Sequence, residues 1–543
     1  MIDAPSHARR VVLLILLSAL ACLGALSVLY VTIHGIGLWG DSLEYISTAR
    51  SIIAGRGVRT LGDHGSWIPL TTFPPMYPML LSLSGLFHTD PVAGARWLQA
   101  GLFGATLALA AGMAWEATQS LVATVAVGLL SFANLLEVFA KAQSEGAFIF
   151  FALVGLGLLA SHLRRARWVV LTASALALGA ALLTRYAGGS LLIAGVIALL
   201  GFGAKDERPV GKRVLDAVVF SGIAIAPALG WILHLGSVGT ATGREAIFHP
   251  PDAERLLQGL RTLCSWLLGI KSPAASAWAG GLFLLLALGG LAWEVGSRDR
   301  RRQFIGGPPV LMVLLLFAVI YLPFIVLSIS LYDAATPLNS RILSPMIVPA
   351  FVAAVALILR HVTLLRIKGA TCVLTALLML ETGYKLYHTA VWSRRIHHGG
   401  LEYSSREWHD SAILRYVATL PPDQLIYSNA TDVLYLLANR TGCTVPQISL
   451  RKKNVSEVRL GRFFRSLRPM QKDLLLHDGL LIYFDGVQRE DFLAGYDAIN
   501  PWIPLELVKE IHDPKSEVGS GRVYRVAPGV PSKLPTGGDR DER

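Results

Sequence analysis

The sequence predicts a polytopic α-helical membrane protein of about eleven transmembrane helices with a small C-terminal α/β extracytoplasmic domain. Three observations predict it. Apolar stretches of about 17–25 residues, the length that crosses a hydrocarbon core, recur through the first 390 positions. Hydrophobic residues make up 53% of the 543 and charged residues only 16%. The basic residues behind the formal net charge of +12 fall between the apolar runs instead of forming one patch. That pattern is a topology signal and not a nucleic-acid surface.

The first span covers 11–31 and follows Arg9-Arg10. It is long and lacks a small-residue cleavage site, so it reads as a retained signal-anchor helix. A long outer loop, 32–92, comes next. Leu43, Ile46, Ala49, Ile52 and Ile53 recur there at helical spacing and predict a surface helix. The apolar piece 76–88 is too short to cross and reads as re-entrant or interfacial. Spans follow at 93–115, 120–137, 145–161, 168–184, 187–203 and 214–235. After a second outer loop, 236–275, come spans at 276–296, 309–330, 343–360 and 370–390. Alternate connections carry Arg9-Arg10, then Arg164, Arg165 and Arg167, then Lys205, Arg208, Lys212 and Arg213. Arg298 with Arg300 to Arg302, and then Arg366 and Lys368, continue the series. The phase puts the N-terminus in the cytoplasm, and an odd number of spans puts the tail outside.

Residues 1–390 are therefore expected to form the membrane domain, 391–527 an extracytoplasmic domain, and 528–543 a disordered tail rich in Pro, Gly and charge. Strand-like runs at Leu425-Ile426-Tyr427, Cys443-Thr444-Val445, Leu480 to Phe484 and Val523 to Val526 flank a helical stretch from Asp432 to Asn439. Cys22, Cys264, Cys372 and Cys443 have no metal-ligand or CxxC spacing, and a Cys264–Cys443 disulfide stays open. His397-His398 is an isolated pair. There is no HExxH, P-loop or dinucleotide fingerprint, so no soluble nucleotide cofactor is indicated.

The polar candidates gather in the outer connections. Asp41 and Glu44, three apart, share a face of the predicted surface helix. Either this carboxylate pair supplies a general base, or Asp41 is an ordinary helix N-cap. Glu145 opens a span after Glu137, Lys141 and Ser144. A carboxylate at that depth has a task or a partner, or it complements the helix N-terminus. Arg185, in Thr184-Arg185-Tyr186, and Arg341, after Asn339-Ser340, are outward arginines. Each presents a fork suited to phosphate oxygens, or snorkels to headgroups.

The order of these motifs resembles the C-type (GT-C) integral-membrane glycosyltransferases, in particular their protein O-mannosyltransferase-like and lipid A aminoarabinose transferase-like branch. The residues that carry the resemblance are Asp41 with Glu44-Tyr45, Ala49-Arg50, Gly55-Arg56-Gly57 and Pro74-Pro75-Met76-Tyr77-Pro78. Ser144-Glu145, Thr184-Arg185, Arg341 to Pro345, and the tail segment Tyr427 to Tyr435 complete it. The resemblance implies a polyprenyl-phosphate-linked sugar as donor and inverting transfer at the outer membrane surface. The acceptor would be a lipid, glycan or protein. It implies Asp41 as base, with Glu44 or Glu145 as second acidic residue. Arg185 and Arg341, with Lys141, would hold the donor phosphate, and Tyr45, Arg50, Pro75 and Tyr77 would line the substrate loop. No cofactor is implied, no metal is inferred, and a divalent ion stays open. The expected place is a bacterial inner or plasma membrane, with no nucleic-acid partner.

Two other readings are a transporter or flippase of lipid-linked glycans and a non-catalytic envelope assembly factor. A transporter predicts internal repeats and broken helices at the midplane, neither of which the sequence shows. An assembly factor predicts that Asp41 tolerates substitution. Three sequons, at Asn429, Asn439 and Asn454, lie in the tail.

Overall fold

The computed structural model describes residues 7–201, 209–239, 248–267, 270, 272–296, 306–332, 336–365, 369–447, 460–487, 493–514 and 516–529. Arg298 and Arg300 to Arg302, Lys205, Arg208, Arg366, Lys368, the Asn454 sequon and all but the first two residues of 528–543 lie outside them. The described residues fall into two compact units, one within 7–33, 70–332 and 336–397, the other within 34–69 and 398–529. The first outer loop is thus divided. Its first half belongs with the tail and its second half with the helices.

Among the described residues, every stretch expected to span lies largely on a helix. The helices run His7–Val31, Pro91–Thr118, Leu121–Phe139, Glu145–Arg165, Trp168–Thr184, Gly189–Gly201, Val210–Ser237, Pro273–Val295, Pro309–Tyr332, Ile347–Leu365 and Ala370–Gly399. Among the described residues seven helices are long and apolar enough to cross a membrane, and Trp168–Thr184 and Tyr186–Gly201 are shorter apolar ones. The chain is an integral membrane protein. Lipid-facing positions explain apolar side chains left outside, such as Leu14, Ile15 and Leu26 of the first helix. Helices tolerate Pro227 and Pro323 in their interiors because neighbouring groups re-satisfy the freed carbonyls. Small residues set a close crossing of the first two of these helices. A Cβ on Gly104 would lie 2.5 Å from the Ala21 carbonyl oxygen, and one on Gly24 would lie 3.2 Å from the Gly104 Cα. At the far end of that pair Arg96 donates to Leu29 O at 2.8 Å and to Thr32 Oγ1 at 3.1 Å.

The piece expected to be re-entrant or interfacial is a short helix, Met76–Ser82, continued by a 3-10 turn, Leu83–Phe87. Its apolar side is exposed at Met79, Leu83, Leu86 and Phe87, while Tyr77 and Leu81 turn inward. The isolated His397 stacks on Tyr30, ring centroids 4.0 Å apart, and its Nδ1 lies 2.8 Å from Tyr30 O. It joins the first and last helices of this unit. His162 and Asp216, both buried, pair at 3.2 Å between the Glu145–Arg165 and Val210–Ser237 helices.

The second unit is built on a five-stranded sheet. Its strands are β3 (Ile426–Ser428), β4 (Cys443–Thr444), β5 (Leu480–Phe484), β6 (Leu505–Ile511) and β7 (Gly521–Val526), in the order β4-β3-β5-β7-β6. β4, β3 and β5 are parallel and β5, β7 and β6 antiparallel. The parallel strands are joined by helices, Thr431–Ala438 and Leu460–Leu476, as parallel pairing requires. Tyr427, Leu467, Met470, Leu481, Ile499 and Ile503 form the core, each large apolar side chain contributing about 1.5–3 kcal/mol by burial. The edge strand β6 is outside the sequence expectation. Its Glu506, Lys509 and Glu510 are the charges that protect an edge, and they hide the apolar alternation. Asn429 donates to Phe484 O at 3.0 Å and accepts from Phe484 N at 2.9 Å, so its amide closes the ends of β3 and β5.

The first half of the outer loop completes this unit. It carries the expected surface helix, Gly40–Ile53, and a hairpin of β1 (Arg59–Leu61) and β2 (Trp67–Pro69). Between helix and hairpin, Gly55 and Gly57 have φ of +72° and +80°, a left-handed region in which side chains are strained. That is the physical content of Gly-Arg-Gly. Ser47 Oγ lies 3.0 Å from Thr60 Oγ1, and Ser51 donates to Gly57 O, folding the hairpin back on its helix. All four cysteines are free thiols, which closes the disulfide question.

Candidate active site

The helical unit brings together four motifs that the sequence leaves far apart. Glu145 is the first residue of its helix and is 1% exposed. Its Oε1 accepts from Arg185 Nη1 at 2.5 Å and from Arg341 Nε at 2.5 Å. Arg185 Nη1 also reaches Ser144 Oγ at 3.2 Å. The carboxylate therefore has partners besides the helix N-terminus, and the two arginines reach a protein carboxylate instead of only snorkelling. Glu145 Oε2 is buried and has no hydrogen-bond partner among the described residues. Charge-assisted bonds of this kind are short and strong, and breaking one side of a buried set is costly.

Local structure aims each group. Arg185 ends the Trp168–Thr184 helix in an extended conformation and turns the chain into the Tyr186–Gly188 turn. Arg341 lies in a one-turn helix, Ser340–Leu343, where Asn339 Oδ1 accepts from Ile342 N at 3.2 Å. Pro345 sits in the next turn, and Tyr321 donates to Ile342 O at 2.7 Å. Lys141 pairs with Glu137 one helical turn earlier, at 3.0 Å. Pro75 caps the Met76–Ser82 helix, and Tyr77, fully buried, accepts from Gln99 Nε2 at 3.1 Å. Burial pushes the Tyr77 hydroxyl well above the usual phenol range, so it stays protonated. Gln99 lay outside the expected site. A lone glutamine in an apolar helix carries no motif.

The second unit holds the other group. Asp41 is half-buried at the second position of the Gly40–Ile53 helix. It is not the N-cap. Trp39 holds that position and its N–H donates to Ser42 Oγ at 3.0 Å. Asp41 and Glu44 share a helix face as expected, and Tyr45 is buried. Arg50 lies over the Tyr435 ring, 5.1 Å from its centroid. The segment Tyr427 to Tyr435 brings in Asp432, to which no role was assigned from sequence. Its Oδ2 accepts from Tyr403 at 2.7 Å and its Oδ1 from Val433 N at 2.9 Å. A Cβ on Gly40 would lie 3.8 Å from Asp432 Oδ2. Burial pushes the Asp432 carboxyl above its ordinary range, against the hydrogen bond from Tyr403.

A third cluster in this unit was not expected. Cys443 Sγ lies 3.4 Å from His64 Nδ1, His64 Nε2 lies 3.4 Å from Asp473, and Tyr427 donates to Asp473 at 2.8 Å. The two ring nitrogens point to different partners. Among the described residues no group of three or more His, Cys, Asp and Glu is arranged to hold a metal ion.

No protein-family model and no curated protein matches this sequence. Solved structures do match. One is ArnT from Cupriavidus metallidurans bound to undecaprenyl phosphate, at a TM-score of 0.57 and 12% identity, over 97% of this chain and 99% of that one. Another is the arabinofuranosyltransferase AftD from Mycobacteria, at a TM-score of 0.51 and 14% identity, over 94% of this chain and 41% of that one. At such identities the likeness is one of fold, and the chain has the fold of the GT-C membrane glycosyltransferases.

Proposed function

We propose that the protein is an inverting glycosyltransferase that moves a sugar from a polyprenyl-phosphate-linked donor to an acceptor at the outer face of the membrane. The observation that carries this reading is the cluster in which Arg185 and Arg341, both partly exposed, share the buried Glu145 carboxylate. Two guanidiniums on one carboxylate make a cationic cluster held rigidly at the end of a helix bundle. A phosphate leaving group needs such a cluster. The fold match to an enzyme bound to undecaprenyl phosphate supports the class of donor.

In this reading the acceptor hydroxyl attacks the anomeric carbon as the carbon–oxygen bond to the donor phosphate breaks. Asp41 takes the hydroxyl proton, and Arg185 and Arg341 stabilise the charge that collects on the departing phosphate. Glu145 fixes both guanidiniums, and Glu44 supports Asp41 from the same helix face. The cytoplasmic N-terminus and outer tail follow from the alternation of basic connections.

The test is sugar transfer from a labelled membrane lipid pool at matched protein levels. Asp41→Asn is expected to lower transfer by about 10²–10⁴-fold, with labelled polyprenyl-phosphate donor accumulating. Arg341→Ala is expected to lower it by about 10²–10³-fold. Unchanged transfer in Asp41→Asn would reject the reading and favour an assembly role. Movement of the labelled lipid across the membrane without transfer would favour a flippase.

A further inference from the structure

Gln99 is fully buried in the middle of an apolar face of the Pro91–Thr118 helix. Its Nε2 lies 2.7 Å from Gln143 O, 3.1 Å from Lys141 O and 3.1 Å from the Tyr77 hydroxyl. An amide nitrogen has two hydrogens. The Gln143 carbonyl takes one, and the Lys141 carbonyl and Tyr77 hydroxyl share the other. Its Oε1 is buried with no hydrogen-bond partner among the described residues and faces Gly146, where a Cβ would strike it. Gly146 is the space that lets the amide in.

A leucine would fill this volume without an unsatisfied carbonyl. What the amide adds is control of residues 140–144, the only break between the Leu121–Phe139 and Glu145–Arg165 helices. Carbonyls of a non-helical turn in a helix bundle need donors from elsewhere. Gln99 supplies one to Gln143 O and adds a second to Lys141 O, which also accepts from Gln143 N at 2.9 Å within the turn, and it ties the same turn to the Pro-Pro-Met-Tyr-Pro segment through Tyr77. Residue 145 in turn fixes Arg185 and Arg341.

We propose that Gln99 is a positioning residue for the Glu145–Arg185–Arg341 cluster, acting through the 141–143 turn and Tyr77. The proposal rests on the glycosyltransferase reading for its kinetic consequence, though not for its structural one. Misplacing a charge-stabilising group by about 1 Å costs up to about 10²-fold in rate. Such a loss belongs to turnover, because the guanidiniums oppose charge that develops only as the phosphate departs.

The experiment compares wild type, Gln99→Leu, Gln99→Glu and the packing control Leu107→Ala, each as the full-length protein. Two readouts are taken: transfer from the labelled lipid pool, and hydrogen exchange of the 140–146 amides. In Gln99→Leu, kcat is expected to fall about 10–100-fold with KM within about threefold, and the 140–146 amides to exchange faster. Gln99→Glu keeps the volume and, when protonated, one donor. It is expected to retain turnover at low pH and to lose it along a limb, absent from wild type, as its carboxyl ionises. Turnover in Gln99→Leu within twofold of wild type would overturn the proposal, as would a loss matched by Leu107→Ala or unchanged exchange at 140–146. If wild type itself transfers no sugar, the glycosyltransferase reading fails, and exchange at 140–146 alone decides the positioning role.

Discussion

Cys443 and Asp432 show how the outer unit holds single polar groups against their solvation preference. Burial pushes the Cys443 thiol up to about 11 from 9.0. It is neutral at physiological pH and should resist alkylation by iodoacetamide until the protein unfolds. Between those two values the folded state keeps a proton that the unfolded chain releases. Stability of the outer unit should therefore fall as pH rises through that window, and Cys443→Ala should reduce the slope, leaving the part that Tyr427 and Tyr524, also raised by burial, contribute. Asp432 depends on the Tyr403 hydroxyl. Tyr403→Phe strips a buried carboxylate of its side-chain donor, leaving the backbone donor Val433 N, and should cost about 1–3 kcal/mol. Denaturation followed by the fluorescence of Trp408, whose ring is 5.3 Å from that of Tyr403, would measure it. The deficit should shrink on acidification, because the folded carboxyl binds its proton at higher pH than the unfolded one. Sequence marked Glu145, Arg185 and Arg341 as separate candidates. It did not join them, because the contacts cross 40 and 196 residues. Gln99 gave no signal at all, and Asp432 only its place in the Tyr427 to Tyr435 segment without a role, since burial and partners alone give them meaning.

Among the elements, spans were the easiest to read, because hydropathy over about twenty residues outweighs any local preference. All eleven expected stretches lie on helices. The surface helix at Gly40–Ile53 was legible from its apolar spacing, but its cap was not: Trp39 holds the cap position and donates its N–H to Ser42 Oγ, while Asp41 lies inside the helix. β6 was invisible because an edge strand alternates charge where a core strand alternates apolar residues. Helix contacts were also silent, since a stripe of small residues has no hydropathy signature. The Gly104 crossing makes a testable claim. Gly104→Val pushes a side chain into the Ala21 carbonyl and should destabilise the protein by about 1–3 kcal/mol. Gly101→Ala meets nothing within 4 Å and should be silent. Thermal unfolding of the detergent-solubilised protein separates the two.

For the molecule as a whole, the two compact units divide the chain differently from a boundary read from composition. Composition changes near residue 390, and a sequence boundary drawn there leaves all of 32–92 with the membrane helices. Residues 34–69 instead complete the tail's unit, through pairings such as Thr444 N to Asp63 Oδ1 at 3.1 Å and Ser404 Oγ to Ile36 O at 2.7 Å. No local property of 34–69 announces this, because its partners lie more than 300 positions away. An excised segment of 398–529 lacks the His64 that contacts Cys443. At pH 8 its Cys443 should be alkylated faster than in the full-length protein, as mass spectrometry would record.

The Asn429 amide has a practical consequence for where this protein can be made. Both its hydrogen-bonding atoms are spent on Phe484, so the folded sheet has no nitrogen to offer a modifying enzyme. In a host that delivers this tail to a glycosylating lumen, a glycan could attach there only before folding. It would then stand where β3 must meet β5. Asn439, exposed at the end of its helix, would carry the same sugar harmlessly. Asn429→Gln would not cure the problem, since its longer side chain misplaces the amide that bridges the strands. Thr431→Ala removes the sequon and leaves that bridge in place.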